Sequence, residues 1–221
     1  MGNSEKQSKT KKDYEFIAQI VVAAILAVLI IYSGAKFFSA GNGIGGAAIS
    51  GVSASEIIPT GIPAVYGSKL GISYDDISVT NQRQADATIG VLSKFDNAIT
   101  LTGSDLQRYI DIGLQISCEY CCGADSIIFS NGKAACGCAH SYAMRGLAKY
   151  LIKNHGAEFT DNEILEELGK WKVLFFPGIH ETKAAVLKSK GIELNYINLA
   201  SNKYRGIETG KQSSGSMVGG C

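Results

Sequence analysis

The sequence lacks the short motifs that identify the common enzyme classes. No GxSxG, HExxH or Walker segment occurs in its 221 residues, and the GxGxxG-like glycines Gly41, Gly43 and Gly46 follow an apolar run instead of a Rossmann strand. It also has little net charge, because 21 basic side chains stand against 20 acidic ones and the bases are scattered. A nucleic-acid-binding surface is therefore not predicted. No enzyme activity is predicted either, although a metal with an open coordination position is catalytic in principle.

One long apolar segment is present near the N-terminus. Residues 16–35 form an uncharged run, FIAQIVVAAILAVLIIYSGA, and as a helix this run is about as long as a bilayer's hydrocarbon core is thick. We expect a single transmembrane helix over residues 16–38. Four lysines precede the run and Lys36 alone follows it closely, which places the N-terminus in the cytoplasm and the rest of the chain outside the cell membrane. A cleaved signal peptide and a pilin-like assembly helix are the alternatives.

Composition divides the chain into five regions. A basic segment over residues 1–15 precedes the transmembrane helix, a flexible linker rich in small residues covers 39–63, and the cysteine-containing domain covers 64–202. The last region, residues 203–221, is small and polar and ends in Cys221, which is typical of a flexible tail.

The domain has the hydrophobic spacing of several amphipathic helices. Thr80, Ser104 and Ser141 are predicted N-caps, and Thr160 with Glu163 forms a predicted capping box. Two segments favour strands instead. Residues 192–196 alternate in polarity, and Asn131-Gly132 after Ile127–Phe129 predicts a type I′ hairpin in which Ile128 faces Ala135. The expected fold class is therefore α+β, mainly helical, with one β-hairpin that carries the cysteines.

The cysteines are the most informative feature of the domain. Five of the six fall within 21 residues as CEYCC and CGCAH, and the predicted hairpin would return the second group beside the first. Two short Cys-x(1–2)-Cys turns are the usual way to place four thiolates around tetrahedral zinc. We predict a metal site, with zinc favoured over an iron–sulfur cluster or copper. Its candidate ligands are Cys118, Cys121, Cys136 and Cys138, with Cys122, His140 and Cys221 as further donors.

Two other functions remain open for the same cysteines. A domain outside the membrane meets oxidising conditions, where six cysteines can form three disulfides and staple an interaction domain. Cys118-x-x-Cys121 can also belong to a thiol-redox protein, although it follows a predicted helix instead of opening one. A haem attachment is excluded because Cys122 stands where CxxCH requires histidine. Arg145 and Lys149 are interpreted as an ordinary solvated face.

The blocks CEYCC and CGCAHSYAMRGLAKYL, followed by EELGKWKVLFFP, resemble a group of uncharacterised microbial membrane-anchored proteins with CxxCC and CGCAH blocks. The resemblance covers residues 64–177 and extends to the terminal GGC. It implies membrane anchoring but supplies no activity and no assigned residues.

The expected partners are the lipid bilayer, through residues 16–38, and a metal ion.

Overall fold

The computed structural model describes residues 52–211 and 217–220 of the chain, and these residues are mainly helical. The described residues contain two short helices, then five longer ones, and then a last short helix. They are α1 (Ala54–Ile57), α2 (Gly67–Leu70), α3 (Gln82–Ala98), α4 (Gly103–Gly113), α5 (Ala139–His155), α6 (Asp161–Phe175), α7 (Pro177–Ser189) and α8 (Tyr196–Ala200). Single 3₁₀ turns occur at Tyr74–Asp76 and Asn202–Tyr204.

Helices α3 and α6 each begin where a short polar side chain satisfies a free backbone N–H group. The predicted capping box at the start of α6 is confirmed, because Thr160 accepts from the N–H of Glu163 and the Glu163 carboxylate accepts from the N–H of Thr160. Helix α3 starts one residue later than predicted, since Asn81 is its N-cap. Helix α7 follows α6 directly, with Pro177 in its first turn, where proline's missing N–H costs nothing.

Helices α3 and α5 pack along each other at the centre of the described region. A Cβ atom on Gly146 would lie 2.0 Å from the carbonyl oxygen of Leu92, so glycine permits the backbones to approach this closely. Helix α4 and helix α6 contact other sides of α5. Helix α5 is consequently buried along most of its length, and a residue on almost any of its faces is enclosed by protein.

A polar network links the N-terminal part of the described region to α6. Glu167 accepts hydrogen bonds from Tyr66 at 2.7 Å and Tyr74 at 2.6 Å, and the indole N–H of Trp171 donates to the Tyr66 hydroxyl. Burial raises the pKa of Tyr66 and of Tyr74 well above the usual tyrosine range, and the Glu167 charge adds to the effect. Both hydroxyls therefore remain protonated donors, and they fix the segment before α3 onto α6.

The predicted α+β class and β-hairpin are wrong. Residues 52–211 and 217–220 contain no strand, and Ile128 meets Ala134, not Ala135, in an isolated bridge. Among these residues Glu119 is the one non-glycine with positive φ, so Asn131 does not adopt the conformation that a type I′ turn requires. The turn closes instead through a hydrogen bond from the N–H of Gly132 to the carbonyl of Phe129, with Gly132 at φ +77°.

The pairing stops after this bridge because the next backbone groups bind other partners. The N–H of Ile127 donates to the carbonyl of Ile116 at 2.9 Å, while the Ile127 carbonyl still accepts from the N–H of Ala135. Arg145 Nη1 donates to the carbonyl oxygens of Cys136, at 2.7 Å, and Ile127, at 3.3 Å. The alternating segment at 192–196 forms no strand either. Asn195 accepts from the N–H of Asn198 at 2.8 Å and starts α8, so a local cap prevails over the alternation.

No helix within the described ranges is long and apolar enough to cross a membrane. The predicted transmembrane helix over residues 16–38 lies outside these ranges, as do the basic N-terminus, most of the predicted linker and Cys221. Residues 217–220 of the predicted tail pack on the domain. Val218 is buried, and its N–H donates to the carbonyl of Phe175 at 2.9 Å.

Candidate metal centre and disulfide

The loop between α4 and α5 carries all the described cysteines. Ile116 holds its start through an isolated bridge to Ser201 and a hydrogen bond from the N–H of Ile127. A disulfide between Cys122 and Cys136 closes the loop on itself. The loop is therefore fixed by its own crosslink, by Arg145 and by the segment after α8, without a β-sheet.

Four side chains converge where this loop meets the first turn of α5, and we call them the sulfur site: Cys118, Cys121, Cys138 and His140. Their ligand atoms all lie within 4.8 Å of one another. The sulfur atoms of Cys118 and Cys138 are 3.2 Å apart, and both residues are buried free thiols. Cys121 is disulfide-bonded. The cluster can hold a metal ion, because thiolates and imidazole are the ligands of tetrahedral zinc sites.

Cys138 is the N-cap of α5. Its sulfur accepts a hydrogen bond from the backbone N–H of Ser141 at 3.4 Å and also lies 3.4 Å from the Ser141 hydroxyl. Ser141 itself, the predicted cap, lies inside the helix. The sulfur of Cys138 thus lies at the positive end of a helix of 17 residues, where a thiolate is stabilised.

The two free thiols share one proton unequally. The hydrogen bond with Cys118 lowers the pKa of Cys138 against the opposing effect of burial, and His140 and the Ser141 donors lower it further. The same hydrogen bond and burial raise the pKa of Cys118. Cys138 is accordingly the thiolate of the pair and Cys118 the thiol.

His140 is fully buried and presents one ring nitrogen without a partner. Its Nε2 lies 2.8 Å from the carbonyl oxygen of Val218, which accepts only from a protonated nitrogen, so the proton is on Nε2. Nδ1 has no hydrogen-bond partner within bonding distance, and in the neutral imidazole it is the nitrogen that carries the lone pair. Phe175 and Phe176 contact the ring, with centroid distances of 4.7 and 5.0 Å. Aromatic packing and a backbone carbonyl thus fix both the orientation and the tautomer of the imidazole.

The predicted ligands separate into two groups. Cys118, Cys121, Cys138 and His140 come together in the sulfur site, while Cys122 and Cys136 are joined to each other, with Cys122 exposed and Cys136 buried. Cys136 remains close to the site, because its sulfur is 3.5 Å from that of Cys138. Cys221 lies outside the described residues.

Sequence reasoning missed two buried charged groups beside the loop. Arg145 and Lys149 do not form a solvated face: Arg145 is buried and pairs with Asp96 at 2.7 Å, while the Lys149 ammonium lies 2.8 Å from the same carboxylate. We call these three residues the arginine clamp. Nothing in the sequence indicated that Asp96 on α3 would pair with Arg145, because this contact depends on the packing of two helices that are far apart in sequence.

The second group lies on the other side of the loop, and we call it the lysine cluster: Glu119, Lys172, Lys183 and Glu208. Lys172 donates to Glu119 at 3.1 Å and to the carbonyl of Ala200 at 2.8 Å. Burial lowers the pKa of Lys172 to about 8, against the opposing effect of Glu119. Lys183 lies 4.0 Å from Glu208, farther than a hydrogen bond, and burial lowers its pKa. The Glu119 carboxylate, which also accepts from the N–H of Gly206 at 2.9 Å, belongs to the residue next to Cys118.

Comparison with known protein families, with curated proteins and with solved structures gives no match. The function of the sulfur site is therefore inferred from its geometry.

Proposed function

We propose that this protein binds a transition-metal ion at the sulfur site, with zinc as the favoured metal. The observation that supports this most strongly is the lone pair of His140 Nδ1. It is buried, has no hydrogen-bond partner, and belongs to a group whose ligand atoms, including the sulfurs of Cys118 and Cys138, lie within 4.8 Å of one another.

An unsatisfied polar atom of this kind is costly. A buried acceptor without a partner destabilises a fold by about 1–3 kcal/mol, and a metal ion bound to Nδ1 would remove that cost. The bond from Nε2 to Val218 also has the form that metal-binding histidines use, in which the second nitrogen donates to a carbonyl group and fixes the tautomer.

Zinc suits the donor set better than the alternatives. Two cysteine sulfurs and one imidazole make a Cys₂His set, which zinc accepts with a further ligand in the fourth position. The sulfur of Cys121 belongs to the same group and can take this position once its disulfide is reduced. An iron–sulfur cluster requires four cysteine thiolates in most proteins, whereas the described free thiols are Cys118 and Cys138. Copper(I) prefers softer sets without imidazole.

The proposal places the metal-binding domain outside a cell membrane. Residues 16–38 would associate with the lipid bilayer, and the lysines before them would keep the N-terminus in the cytoplasm. The Cys122–Cys136 disulfide is in keeping with this location, because disulfides persist outside the cytosol. The domain would then serve as a carrier or sensor of metal whose ligands depend on thiol oxidation state. Membrane fractions washed with alkaline carbonate should retain the full-length chain, whereas release into the wash would contradict the anchor.

Cobalt(II) substitution tests the metal proposal directly. Full-length protein in detergent, treated with a non-thiol reductant, should develop thiolate-to-cobalt charge-transfer absorption that zinc abolishes. The variant His140→Gln should weaken cobalt affinity by at least about tenfold, while the matched control His155→Gln, at the other end of α5, should bind as the wild type does. Equal affinity in the two variants would remove His140 from the site, and no absorption in the wild type would contradict metal binding.

A disulfide-stapled interaction domain is the second candidate, and the crosslink between Cys122 and Cys136 favours it. A loop of about 15 residues is worth roughly 3 kcal/mol in chain entropy. If stapling is the main role of the cysteines, reduction should lower the free energy of unfolding by about that amount, and zinc should not restore it. Restoration by zinc would favour the metal site instead.

A further inference from the structure

The sulfur atoms of this loop form a continuous row from the surface to the interior. Cys122 is exposed and bonded to Cys136, the sulfur of Cys136 is 3.5 Å from that of Cys138, and the sulfur of Cys138 is 3.2 Å from that of Cys118. Cys118 is fully buried, and Cys136 and Cys138 are 5% and 8% exposed. A disulfide with a free thiol at van der Waals distance from one of its sulfurs is arranged for exchange, whereas a purely structural disulfide needs no such neighbour.

The free sulfur nearest the disulfide is also the one best prepared to attack it. Cys138 caps α5, and the N–H of Ser141 points at its sulfur. Negative charge at a helix N-terminus is stabilised, and thiolates at such positions are the usual nucleophiles of thiol–disulfide exchange. Cys118, in contact with Cys138, is placed to react with any disulfide that Cys138 forms.

We propose that the loop is a thiol–disulfide relay that transfers a disulfide between the exposed Cys122–Cys136 pair and the buried Cys118–Cys138 pair. In the first step the Cys138 thiolate attacks the sulfur of Cys136. The Cys136–Cys138 bond forms, the Cys122–Cys136 bond breaks, and Cys122 leaves as a thiolate that takes a proton from solvent.

In the second step Cys118 loses its proton to solvent and attacks the sulfur of Cys138. The Cys118–Cys138 bond forms, and Cys136 leaves as a thiolate. The exchange neither oxidises nor reduces the protein, since these four cysteines hold one disulfide and two thiols before and after it. The result is a buried disulfide and a dithiol at Cys122 and Cys136.

The exposed position of Cys122 identifies the class of substrate. Its thiolate can attack a disulfide RSSR of another molecule, which gives a mixed disulfide Cys122–SR and releases RS⁻. Cys136 then attacks Cys122, reforms the Cys122–Cys136 bond and releases the second RS⁻. In this single sequence of exchanges the substrate disulfide is reduced to two thiols, the electrons come from Cys118 and Cys138, and the protein ends with disulfides at both Cys122–Cys136 and Cys118–Cys138. The relay therefore acts on exposed disulfides, and its chemistry does not require a metal.

The test uses full-length protein in detergent, under anaerobic conditions and with a chelator. The protein is incubated with a bulky maleimide, and the labelled and disulfide-bonded cysteines are identified by mass spectrometry. In the wild type, Cys122 should become labelled over time and a Cys118–Cys138 disulfide should appear. Cys138→Ser should lower the rate of Cys122 labelling by at least about tenfold, because the attacking sulfur is missing.

Cys118→Ser is the matched control, because it removes the neighbouring sulfur and leaves the first step intact. Cys122 should still be labelled in this variant, now with a Cys136–Cys138 disulfide. Serine at position 138 keeps a capping oxygen for α5, and circular dichroism of both variants checks that the helices remain. Equal labelling of Cys122 in Cys138→Ser and the wild type, or labelling confined to Cys118 and Cys138, would overturn the relay. Because the chelator removes metal, this result is independent of the cobalt experiment.

Discussion

Helix α5 carries two buried polar groups near its start that differ in how well they are satisfied. In the arginine clamp, Arg145 binds the Asp96 carboxylate and two loop carbonyl groups, and Lys149 binds the same carboxylate. The one unpartnered nitrogen of Arg145, Nη2, belongs to a guanidinium that lies 4.5 Å from the ring centre of Tyr142. In the sulfur site, one turn earlier, His140 Nδ1 has no hydrogen-bond partner within bonding distance, and His140 lies close enough to Cys138 to lower the pKa of that thiol.

This difference in hydrogen bonding indicates a structural role for the arginine clamp and a ligand-binding role for the sulfur site. A buried charge whose partners are all in the chain stabilises a single arrangement of that chain, and its loss leaves those partners unpaired. A buried lone pair that faces thiols indicates a partner from outside. We therefore expect substitutions in the arginine clamp to change stability and substitutions in the sulfur site to change metal binding.

The largest expected effect is that of Arg145→Met. This change leaves Asp96 buried beside Lys149 alone and removes the donor that holds the carbonyl groups of Ile127 and Cys136. Breaking a buried ion pair from one side costs about 3–5 kcal/mol, which urea unfolding would measure. Lys153→Met, an exposed change on the same helix, should cost less than about 0.5 kcal/mol. A loss below about 1 kcal/mol for Arg145→Met would contradict the structural role of the clamp.

The second effect concerns metal and the sulfur site. Zinc at about 100 times its dissociation constant should stabilise the reduced wild type by about 2.7 kcal/mol, and His140→Gln should abolish most of this gain, measured against the metal-free stability of the same variant. Thermal unfolding with and without zinc measures both quantities. A stabilisation by zinc that persists in His140→Gln would show that the metal binds elsewhere.

The third effect links the C-terminal segment to the site. Gly219 has φ +83°, and a Cβ atom on it would lie 3.4 Å from Nε2 of His140 and 2.2 Å from the terminal Cδ1 of Ile89. We therefore expect Gly219→Ala to shift the backbone that holds the Val218 carbonyl on the imidazole. We expect a loss of roughly 1–3 kcal/mol from the clash and the positive φ, with zinc affinity about tenfold weaker. Gly210→Ala is the matched control, because Gly210 has a similar φ of +81° but open space around it. Equal zinc affinities in the two variants would contradict the role of Val218.

The smallest expected effect is the pH dependence contributed by His180, beside the lysine cluster. Burial and the nearby Lys172 hold the pKa of His180 well below the usual histidine value of about 6.5. Below about pH 6.5 the unfolded chain therefore binds a proton at this histidine, and the folded chain does not. The free energy of unfolding falls as the solution is acidified through this range. The slope is about 1.4 kcal/mol per pH unit in this range. His180→Gln should reduce the slope between about pH 6.5 and 5, and an unchanged slope would mean that His180 is protonated when folded.

The sequence predicted what depends on neighbouring residues. The Thr160 and Glu163 capping box is a local contact, and the clustering of Cys118, Cys121, Cys138 and His140 in the sequence already indicated a site. The hairpin prediction was wrong because the N–H of Ile127 donates to Ile116 and Arg145 binds the Cys136 carbonyl, and nothing near Asn131 or Gly132 signals either contact. The Asp96 partner of Arg145 and the Val218 partner of His140 were missed because each pairing spans a long stretch of chain.

The sulfur site is proposed to hold a metal ion through His140. The most direct test is the metal content of full-length wild-type protein, purified in detergent without oxygen or chelator, beside His140→Gln prepared in the same way. We expect about one equivalent of zinc per wild-type chain and markedly less zinc in the variant. The thiols of Cys118 and Cys138 should react with a thiol reagent only after the metal is removed. Metal-free wild-type protein whose two thiols react at once would contradict this proposal.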